Sequence, residues 1–280
     1  MIMSKKYYMD KITELKANHN LNFEKKYWDG KFTKPLREQY KISICTTCMD
    51  RGFDLKKTLP KNIEDNKSYP HLEFVVLDYN GKDKIGKWIK KNMMEHIESG
   101  RLAYYRTETP KFYSMTKSRN LAFKVATGEI VNNVDADNYI HKGFANYINA
   151  IANQFPEKVI FAKGKQLLRG RLGFWKDDFM NILKGYDEKI EDYGRDDHDL
   201  YYRGLMAGFT LACFGGEYFS KTESPSHQTE NMKVSDWKLS ELRNELYMLE
   251  GIAQRRIKGN KGDWGKDTLI KNFKEEIILV

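Results

Sequence analysis

The sequence predicts an α/β fold in which helices cover both faces of a mostly parallel sheet. Between residues 41 and 140, four apolar runs ("KISIC", "LEFVVLDYNG", "RLAYYRTE" and "EIVNNVDADN") alternate with segments of helical character. The runs are too apolar for strands with one face in water, which is typical of parallel strands buried on both faces. Three of them end in polar residues, and ligands of such sheets bind beyond the carboxyl ends of the strands. We therefore expect a ligand site at that edge.

The segments between these runs predict helices. Residues 1–40 contain one, "YYMDKITELKANHN", with polar flanks. "RGFDLKKTLPKNIEDN" has helical periodicity that Pro60 should break. "KIGKWIKKNMMEHI" predicts a single amphipathic helix. "SMTKSRNLAFKVATG" predicts a helix with Gly128 as its C-cap.

The second half of the chain is less regular. "HKGFANYINAIANQF" and "VSDWKLSELRNELYMLEGIAQRRI" predict helices, "KVIFAKGKQLLRG" a strand and a turn, and "GRDDHDLYYR" an acidic start to another helix. The last residues predict a strand or an ordered tail. We divide the chain into an N-terminal helical extension (1–40), a central domain (41–225, in halves 41–140 and 141–225) and a C-terminal extension packed on it (226–280).

Composition narrows the choice of partners and location. The chain has 48 Lys and Arg against 39 Asp and Glu, a net charge of +9 that favours an anionic partner. The basic residues are scattered among acidic ones, so we do not expect a nucleic-acid binder. No run approaches the roughly 18 apolar residues of a membrane span, and the first residues lack the features of a secretory signal. We expect a cytoplasmic protein, with peripheral contact at a membrane left open.

Three cysteines do not suffice for a disulfide framework in a chain of this length. The Cys45-Thr-Thr-Cys48 spacing could serve redox chemistry, whereas a zinc site would need a second pair of ligands. Packing of small residues where a strand ends is the interpretation we favour, with redox chemistry as the alternative.

Asp135 and Asp137 follow the fourth apolar run. An extended backbone would point both carboxylates to one side, where they repel each other unless a cation lies between them. Hard oxygen ligands suit Mg²⁺ or Mn²⁺ carrying substrate phosphates. The alternative is a polar turn in which Asp and Asn bond the local backbone.

A second acidic group, Asp196, Asp197 and Asp199, surrounds His198. The helix dipole stabilises a carboxylate at the start of a helix, which would explain the presence of one of these residues but not of all three. A carboxylate held near other anions has a raised pKa, as a general base requires.

Other polar residues could contact a nucleotide. Asp78 could accept hydrogen bonds from a nucleobase or ribose, and Arg119, next to Asn120, could neutralise phosphate. A solvated helix face is the alternative for Arg119. His227 is a candidate metal ligand or an ordinary loop histidine.

The segments "ISICTTCMDRG", "EFVVLDYNGKD", "KSRNLAFKVATGEIVNNVDADN" and "GRDDHDLYYR" resemble, in order and spacing, those of GT-A-fold, family 2-like glycosyltransferases. The resemblance covers residues 41–205. It implies a GT-A fold whose first half binds a nucleotide-sugar and whose second half binds the acceptor. It also implies transfer from a UDP-sugar to a saccharide or lipid-linked glycan, as in polysaccharide biosynthesis.

The resemblance also implies roles for individual residues. Asp197 matches the base that deprotonates the acceptor hydroxyl in inverting enzymes, and Asp196 precedes it in place of the usual Glu. Mn²⁺ or Mg²⁺ would be held by Asp137 and Asp135 of the D-x-D motif and by His227. The nucleotide-sugar would be bound by Thr46, Thr47, Arg51, Asp78, Arg119, Asn120 and Asp135.

Three alternatives remain at this point. Retaining GT-A enzymes also carry a D-x-D motif. A sugar-phosphate nucleotidyltransferase usually has a glycine-rich segment after the first strand, whereas "CTTCMDRG" has one glycine. A non-catalytic carbohydrate or nucleic-acid binder could use the same scaffold.

Overall fold

The computed structural model describes residues 3–163, 171–223, 231–234 and 236–279. The strands in these ranges are β1 (Lys26–Tyr27), β2 (Ile42–Cys48), β3 (Leu72–Tyr79), β4 (Leu102–Thr107), β5 (Ile130–Asn133), β6 (Asn138–Ile140), β7 (Val159–Lys163), β8 (Leu172–Trp175), β9 (Thr210–Phe214), β10 (Phe219–Lys221), β11 (Asp267–Lys271) and β12 (Glu275–Leu279). The α-helices are α1 (Lys5–Asn18), α2 (Gly52–Asp65), α3 (Ile85–Asn92), α4 (Met94–Glu98), α5 (Met115–Val125), α6 (Phe144–Gln154), α7 (Asp196–Met206) and α8 (Trp237–Ala253).

Ten of these strands form one mixed sheet in the order β1-β9-β7-β8-β5-β2-β3-β4-β11-β12. Its centre is parallel, because β5, β2, β3 and β4 run side by side in one direction. β10 and β6 form a separate antiparallel pair. The predicted α/β fold with a mostly parallel sheet is confirmed.

The sheet has a core on each face. Along β2, Ile44 belongs to one apolar cluster and Cys45 to the other, as the alternation of a strand requires. Every residue of β2 and of β3 is buried, which explains their nearly continuous apolar sequences.

The same alternation decides the question of Cys45 and Cys48. They lie three residues apart in one strand and belong to clusters on opposite faces of the sheet. Burial raises the pKa of both thiols above its ordinary value. Their side chains therefore pack in the two cores, and the redox interpretation is wrong.

Three predictions about the helices were also wrong. α2 continues through Pro60, because burial of Leu55, Leu59 and Ile63 along one face offsets the lost backbone hydrogen bond. α5 ends at Val125, and Gly128 is not its C-cap. Gly128 instead approaches β2, where a Cβ atom would lie 2.7 Å from the backbone nitrogen of Ser43.

The remaining correction concerns the segment after β3. The single amphipathic helix expected there is two helices, α3 and α4, separated at the buried Met93. None of the helices in the described ranges has an apolar stretch long enough to cross a membrane.

Both extensions join the sheet. β1 pairs in parallel with β9 at one edge, and β11 pairs antiparallel with β4 at the other. The predicted helix of residues 1–40 is α1, which begins after a Ser4 N-cap and packs its buried Ile12 with Met248 and Ile252 of α8. The two ends of the chain therefore stabilise each other as well as the sheet.

Candidate active site

The carboxyl ends of β2, β3 and β5 meet at one edge of the sheet, because the three strands are parallel neighbours. Thr46 and Thr47 lie at the end of β2, Asp78 at the end of β3, and Asp135 two residues after β5. The convergence predicted from the sequence is confirmed by this topology.

The D-x-D residues lie in a tight turn and not on an extended strand. β5 ends at Asn133, and the backbone N–H of Asn138 donates to the carbonyl of Asp135 (2.9 Å) before β6 begins. The hydroxyl of Thr46 donates to the carbonyl of Val134 (2.8 Å), which fixes the turn to β2. The polar-turn interpretation thus describes the backbone, and the functional interpretation depends on what the carboxylates face.

Asp135 faces the buried Arg119. The guanidinium nitrogen Nη2 lies 3.2 Å from Asp135 Oδ1, and the amide of Asn133 donates to the same oxygen (3.0 Å). Nη1 of Arg119 forms an ion pair with Asp196 at the start of α7. Burial opposes the charge on Arg119, but Asp196 and Asp135 raise its pKa well above the ordinary value. Arg119 therefore links the D-x-D turn to the second acidic motif.

Asp196 and Asp197 differ in their surroundings. Burial raises the pKa of Asp196 to about 6, with Arg119 opposing and the neighbouring Asp197 adding to the rise. Asp197 accepts from the backbone N–H of His198 (2.8 Å) and contacts its ring Nδ1 (2.7 Å). The hydrogen bond to Asp197 raises the pKa of His198 despite its burial, so the ring is a cation over a wider pH range.

Helix α8, from the C-terminal extension, holds the loop that leads into this motif. The side chains of Ser240 and Asn244 both donate to the carbonyl of Tyr193 (3.0 and 3.2 Å), and Asn244 also donates to that of Gly194 (2.9 Å). Nη2 of Arg195 pairs with Glu245 (2.8 Å). Because α7 begins at the next residue, α8 positions the acidic motif.

Asp137, the second D-x-D carboxylate, faces two cations, Arg51 and Lys221. Arg51 Nη2 lies 3.6 Å and Lys221 Nζ 3.8 Å from its Oδ2, while the amide of Asn138 donates to Oδ1. Arg51 is itself held by the fully buried Asp54, to which both Nε and Nη2 reach (3.0 Å each). Asp137 is thus surrounded by positive charge without a direct hydrogen bond from either cation.

Asp78 is held by hydrogen bonds from three protein groups. Its carboxylate accepts hydrogen bonds from the backbone N–H of Gly81 (2.8 Å), the hydroxyl of Tyr104 (2.8 Å) and Nη1 of Arg106 (2.5 Å). It is 1% exposed, and burial raises its pKa. Asp78 therefore organises the loop after β3, and its contact with the nucleotide stays a prediction.

The next two predicted residues have structural contacts. The hydroxyl of Thr47 lies 2.6 Å from that of Tyr113, on the loop before α5. The side chain of Asn120 accepts from the backbone N–H of Tyr186 (2.8 Å) and donates to its carbonyl (2.9 Å) and to Glu188 (2.9 Å). Asn120 thus fixes Tyr186 and leaves none of its N–H groups for a ligand.

Five buried side-chain atoms lack a hydrogen-bond partner within the described ranges, and two of them belong to residues that contact each other at this site: Nε of Arg119 and the hydroxyl of Tyr186. The two residues are in contact, with the guanidinium carbon 5.6 Å from the centre of the ring. An unpaired buried polar group costs about 1–3 kcal/mol, so the fold gains no stability from leaving these two atoms unpaired.

The donor set suits a hard divalent cation in part. Within the described ranges, no group of three His, Cys, Asp or Glu side chains is placed to hold a metal ion. Asp135 and Asp137 are two carboxylates on one turn, and Mg²⁺ is commonly held by one or two carboxylates with substrate phosphates and water. His227, the third predicted ligand, lies outside the described residues.

The structure adds four residues that the sequence did not single out. Arg106 and Tyr104 bind Asp78 from the neighbouring strand, and Lys221 faces Asp137. Arg171 is buried, donates to the side chain of Asn138, and lies 4.0 Å from Asp135. Arg106 and Tyr104 could have been found from the pairing of β3 with β4, whereas nothing in the sequence pointed to Arg171 or Lys221.

Comparison with known families identifies the chain. The family model described as Glycosyl transferase family 2 matches residues 43–201, more than half of the sequence. The chain belongs to glycosyl transferase family 2. This confirms the resemblance drawn from the motifs, and the matched segment contains both the D-x-D turn and the acidic motif.

Solved structures confirm that this family 2 chain has the GT-A fold. The mannosyltransferase PcManGT from Pyrobaculum calidifontis, in complex with GDP-Man and Mn²⁺, is 18% identical with a TM-score of 0.58, covering 89% of this chain and 80% of that one. S. aureus TarS 1–349 in complex with UDP-GlcNAc is 16% identical with a TM-score of 0.57, covering 76% and 67%.

The same TarS fragment without a named ligand is 17% identical, and the match covers 65% of this chain and 60% of that one. At these identities the likeness concerns the fold. No curated protein matches the sequence.

Proposed function

We propose that this enzyme transfers a sugar from a UDP-sugar to a hydroxyl group of a glycan or glycolipid, with Mn²⁺ or Mg²⁺ at the D-x-D turn and inversion at the anomeric carbon. The observation that carries the proposal is the bridge of Arg119 between Asp135 and Asp196. It brings a phosphate- and metal-binding type of turn next to a carboxylate pair that can act as a base.

The cation is assigned to Asp137 and Asp135. A divalent ion bound there would neutralise charge on the diphosphate as it leaves. The side chains around the turn are suited to the same task, because Arg51 and Lys221 already place positive charge at Asp137. That PcManGT was solved with GDP-Man and Mn²⁺ supports a metal in this enzyme.

Asp197 is the proposed general base. Asp196 is committed to Arg119, and its pKa of about 6 leaves part of it protonated in mildly acidic solution. Asp197 lies beside His198, whose ring Nδ1 is 2.7 Å from Oδ1 of the carboxylate. The base accepts the proton of the acceptor hydroxyl while its oxygen attacks the anomeric carbon.

The uridine end is assigned to the loops after β2 and β3. The ion pair of Asp78 with Arg106 holds the loop after β3. The contact between the hydroxyls of Thr47 and Tyr113 holds the end of β2. TarS was solved with UDP and with UDP-GlcNAc, which supports uridine, whereas PcManGT was solved with GDP-Man. A cytoplasmic enzyme working on a lipid-linked glycan would also meet a membrane surface.

Exchange of Asp137 for Asn tests the proposal. We expect release of UDP from UDP-sugars in the presence of Mn²⁺ to fall by more than about 100-fold, because a neutral amide is a weak metal ligand. Thermal unfolding should be unchanged, since no buried hydrogen bond from a cation is lost. A variant that retains wild-type transfer and Mn²⁺-dependent UDP binding would contradict the metal assignment.

A screen of wild-type enzyme tests the donor. Thermal shift and nucleoside diphosphate release are measured with UDP- and GDP-sugars with Mn²⁺ present. UDP-sugars should stabilise the enzyme and be consumed. Stabilisation by GDP-sugars alone would contradict uridine, and release of pyrophosphate from a nucleoside triphosphate and a sugar phosphate would indicate a nucleotidyltransferase instead.

A further inference from the structure

Lys221 lies beside the D-x-D turn because a strand pairing places it there. β10 pairs antiparallel with β6, with Lys221 opposite Asn138, the residue after Asp137. The next residue of the chain, Thr222, donates its backbone N–H to the carbonyl of Asp137 (2.8 Å). Lys221 is therefore carried to Asp137 by the backbone and not by chance contact of a long side chain.

Arg51 is fixed on the same carboxylate by an independent anchor. Asp54, fully buried on α2, binds Arg51 through Nε and Nη2 and accepts the hydroxyl of Thr222 (2.6 Å). The start of α2 and the end of β10 are thus tied together. Arg51 and Lys221 consequently approach the same oxygen, Oδ2 of Asp137, at 3.6 and 3.8 Å.

Neither distance is that of a hydrogen bond. Charge-assisted N–H···O bonds are about 2.7–2.9 Å long, so both cations stand somewhat short of contact with Oδ2. Lys221 donates no hydrogen bond within the described ranges, and its side chain is 50% exposed. Because the lysine end of this pair is exposed, the pair adds little to stability, and stability does not account for the arrangement. An ammonium with three unused donors suits phosphate oxygens.

We propose that Lys221 binds the diphosphate of the nucleotide-sugar, acting with Arg51 across Asp137 as a pair of cations. This inference rests on the proposed function, which it extends from the metal-binding turn to the leaving group. As the acceptor oxygen bonds to the anomeric carbon and its proton passes to Asp197, the bond from that carbon to the β-phosphate oxygen breaks and its electron pair stays on the phosphate oxygen. Lys221 then faces the added negative charge.

Three variants test this role. In Lys221→Met the charge is lost, in Lys221→Arg it is kept, and Lys142→Met removes an exposed lysine that follows β6. Binding of uridine, UMP and UDP is measured by calorimetry, with EDTA and with Mn²⁺. We expect Lys221→Met to lower the affinity for UDP about tenfold in both conditions, since the variant loses a hydrogen bond to a charged group. The affinity for UMP should fall less, and the affinity for uridine should not change.

The controls separate this role from an ion pair with Asp137 alone. Lys221→Arg and Lys142→Met should bind UDP within about twofold of wild type, well short of the tenfold loss. If Lys221 only neutralises Asp137, Lys221→Met will bind UDP like wild type in EDTA and bind Mn²⁺ more tightly, and the proposal is then wrong.

Failure of the wider proposal has a different signature. If the wild type binds GDP and not UDP, the uridine assignment is wrong, and guanosine, GMP and GDP replace the uridine series in the same comparison of variants. If the wild type binds neither diphosphate, both proposals are overturned.

Discussion

Asp78 lies at the end of β3 and Asp137 follows β5, at the same edge of the sheet, yet the surroundings of their carboxylates differ. Asp78 is buried and accepts from a backbone N–H, a tyrosine and an arginine. Asp137 has two cations nearby, neither at hydrogen-bond distance. A carboxylate whose acceptor positions are all filled by the protein supports the fold. Within the described ranges, the carboxylate of Asp137 accepts from Asn138 at Oδ1 only, so its Oδ2 can change partners when a ligand arrives.

Replacing each of the two aspartates by Asn should give the largest difference in stability between two matched variants. We expect Asp78→Asn to lower the free energy of unfolding by about 3 kcal/mol, because Arg106 loses the anion it is paired with in a mostly buried site. Asp137→Asn should change it by less than about 1 kcal/mol. Chemical denaturation of both variants gives the comparison.

Binding completes the same test. The refolded Asp78→Asn protein should retain Mn²⁺ binding at the D-x-D turn, whereas Asp137→Asn should lose it. If Asp78→Asn proves as stable as wild type and fails to bind UDP, Asp78 is a nucleotide contact and the contrast between the two carboxylates is wrong.

His198 extends the comparison to a group whose charge can be switched by pH. Its pKa is raised above the ordinary 6.5 by the hydrogen bond to Asp197. A raised pKa in the folded state contributes stability that is complete below the unfolded pKa and is lost as pH rises through the folded pKa. We therefore expect His198→Gln to destabilise the protein at pH 5.5–6 and to have little effect well above pH 7, at about pH 9.

The exposed His19→Gln variant, on the C-cap of α1, is the control for loss of an imidazole that has no ion pair within the described ranges. An equal loss of stability by His198→Gln at both ends of the pH range would mean that packing, and not the ion pair with Asp197, holds the ring.

The sequence predicts the centre of this molecule better than its rim. β2, β3 and β5 are recognisable because both of their faces are buried, and the D-x-D turn follows from their shared edge. β1, with two residues, and β11, which begins at a charged residue, carry no such signal. They form because the open edges of the sheet offer them hydrogen bonds.

The use made of each polar residue was beyond prediction for a similar reason. Whether Asp78 is open to a ligand depends on Tyr104 and Arg106, which are distant in sequence and adjacent only across the sheet. Lys221 depends on the pairing of β10 with β6, in a region without a motif. The local sequence indicates which polar side chains could bind a ligand. Pairing between strands distant in sequence decides which of those side chains are already bound by the protein.

Removing the hydroxyl of Tyr186 is the smallest change that tests whether an unpaired buried group is available for function, because only one unpaired oxygen is lost. Tyr186→Phe should leave the free energy of unfolding unchanged or raise it by about 1 kcal/mol, since no hydrogen bond is lost within the described ranges. If unpaired groups beside Arg119 serve catalysis, kcat should nevertheless fall about tenfold.

Tyr69→Phe is the matched control, because the hydroxyl of Tyr69 donates to the carbonyl of Tyr40 (2.7 Å) away from the site. It should lose about 1 kcal/mol of stability and keep its kcat. Steady-state kinetics and denaturation of both variants give four numbers. A Tyr186→Phe enzyme with wild-type kcat would show that an unpaired buried group at this edge can be a matter of packing alone, and the availability of Asp137 would then rest on its two cations.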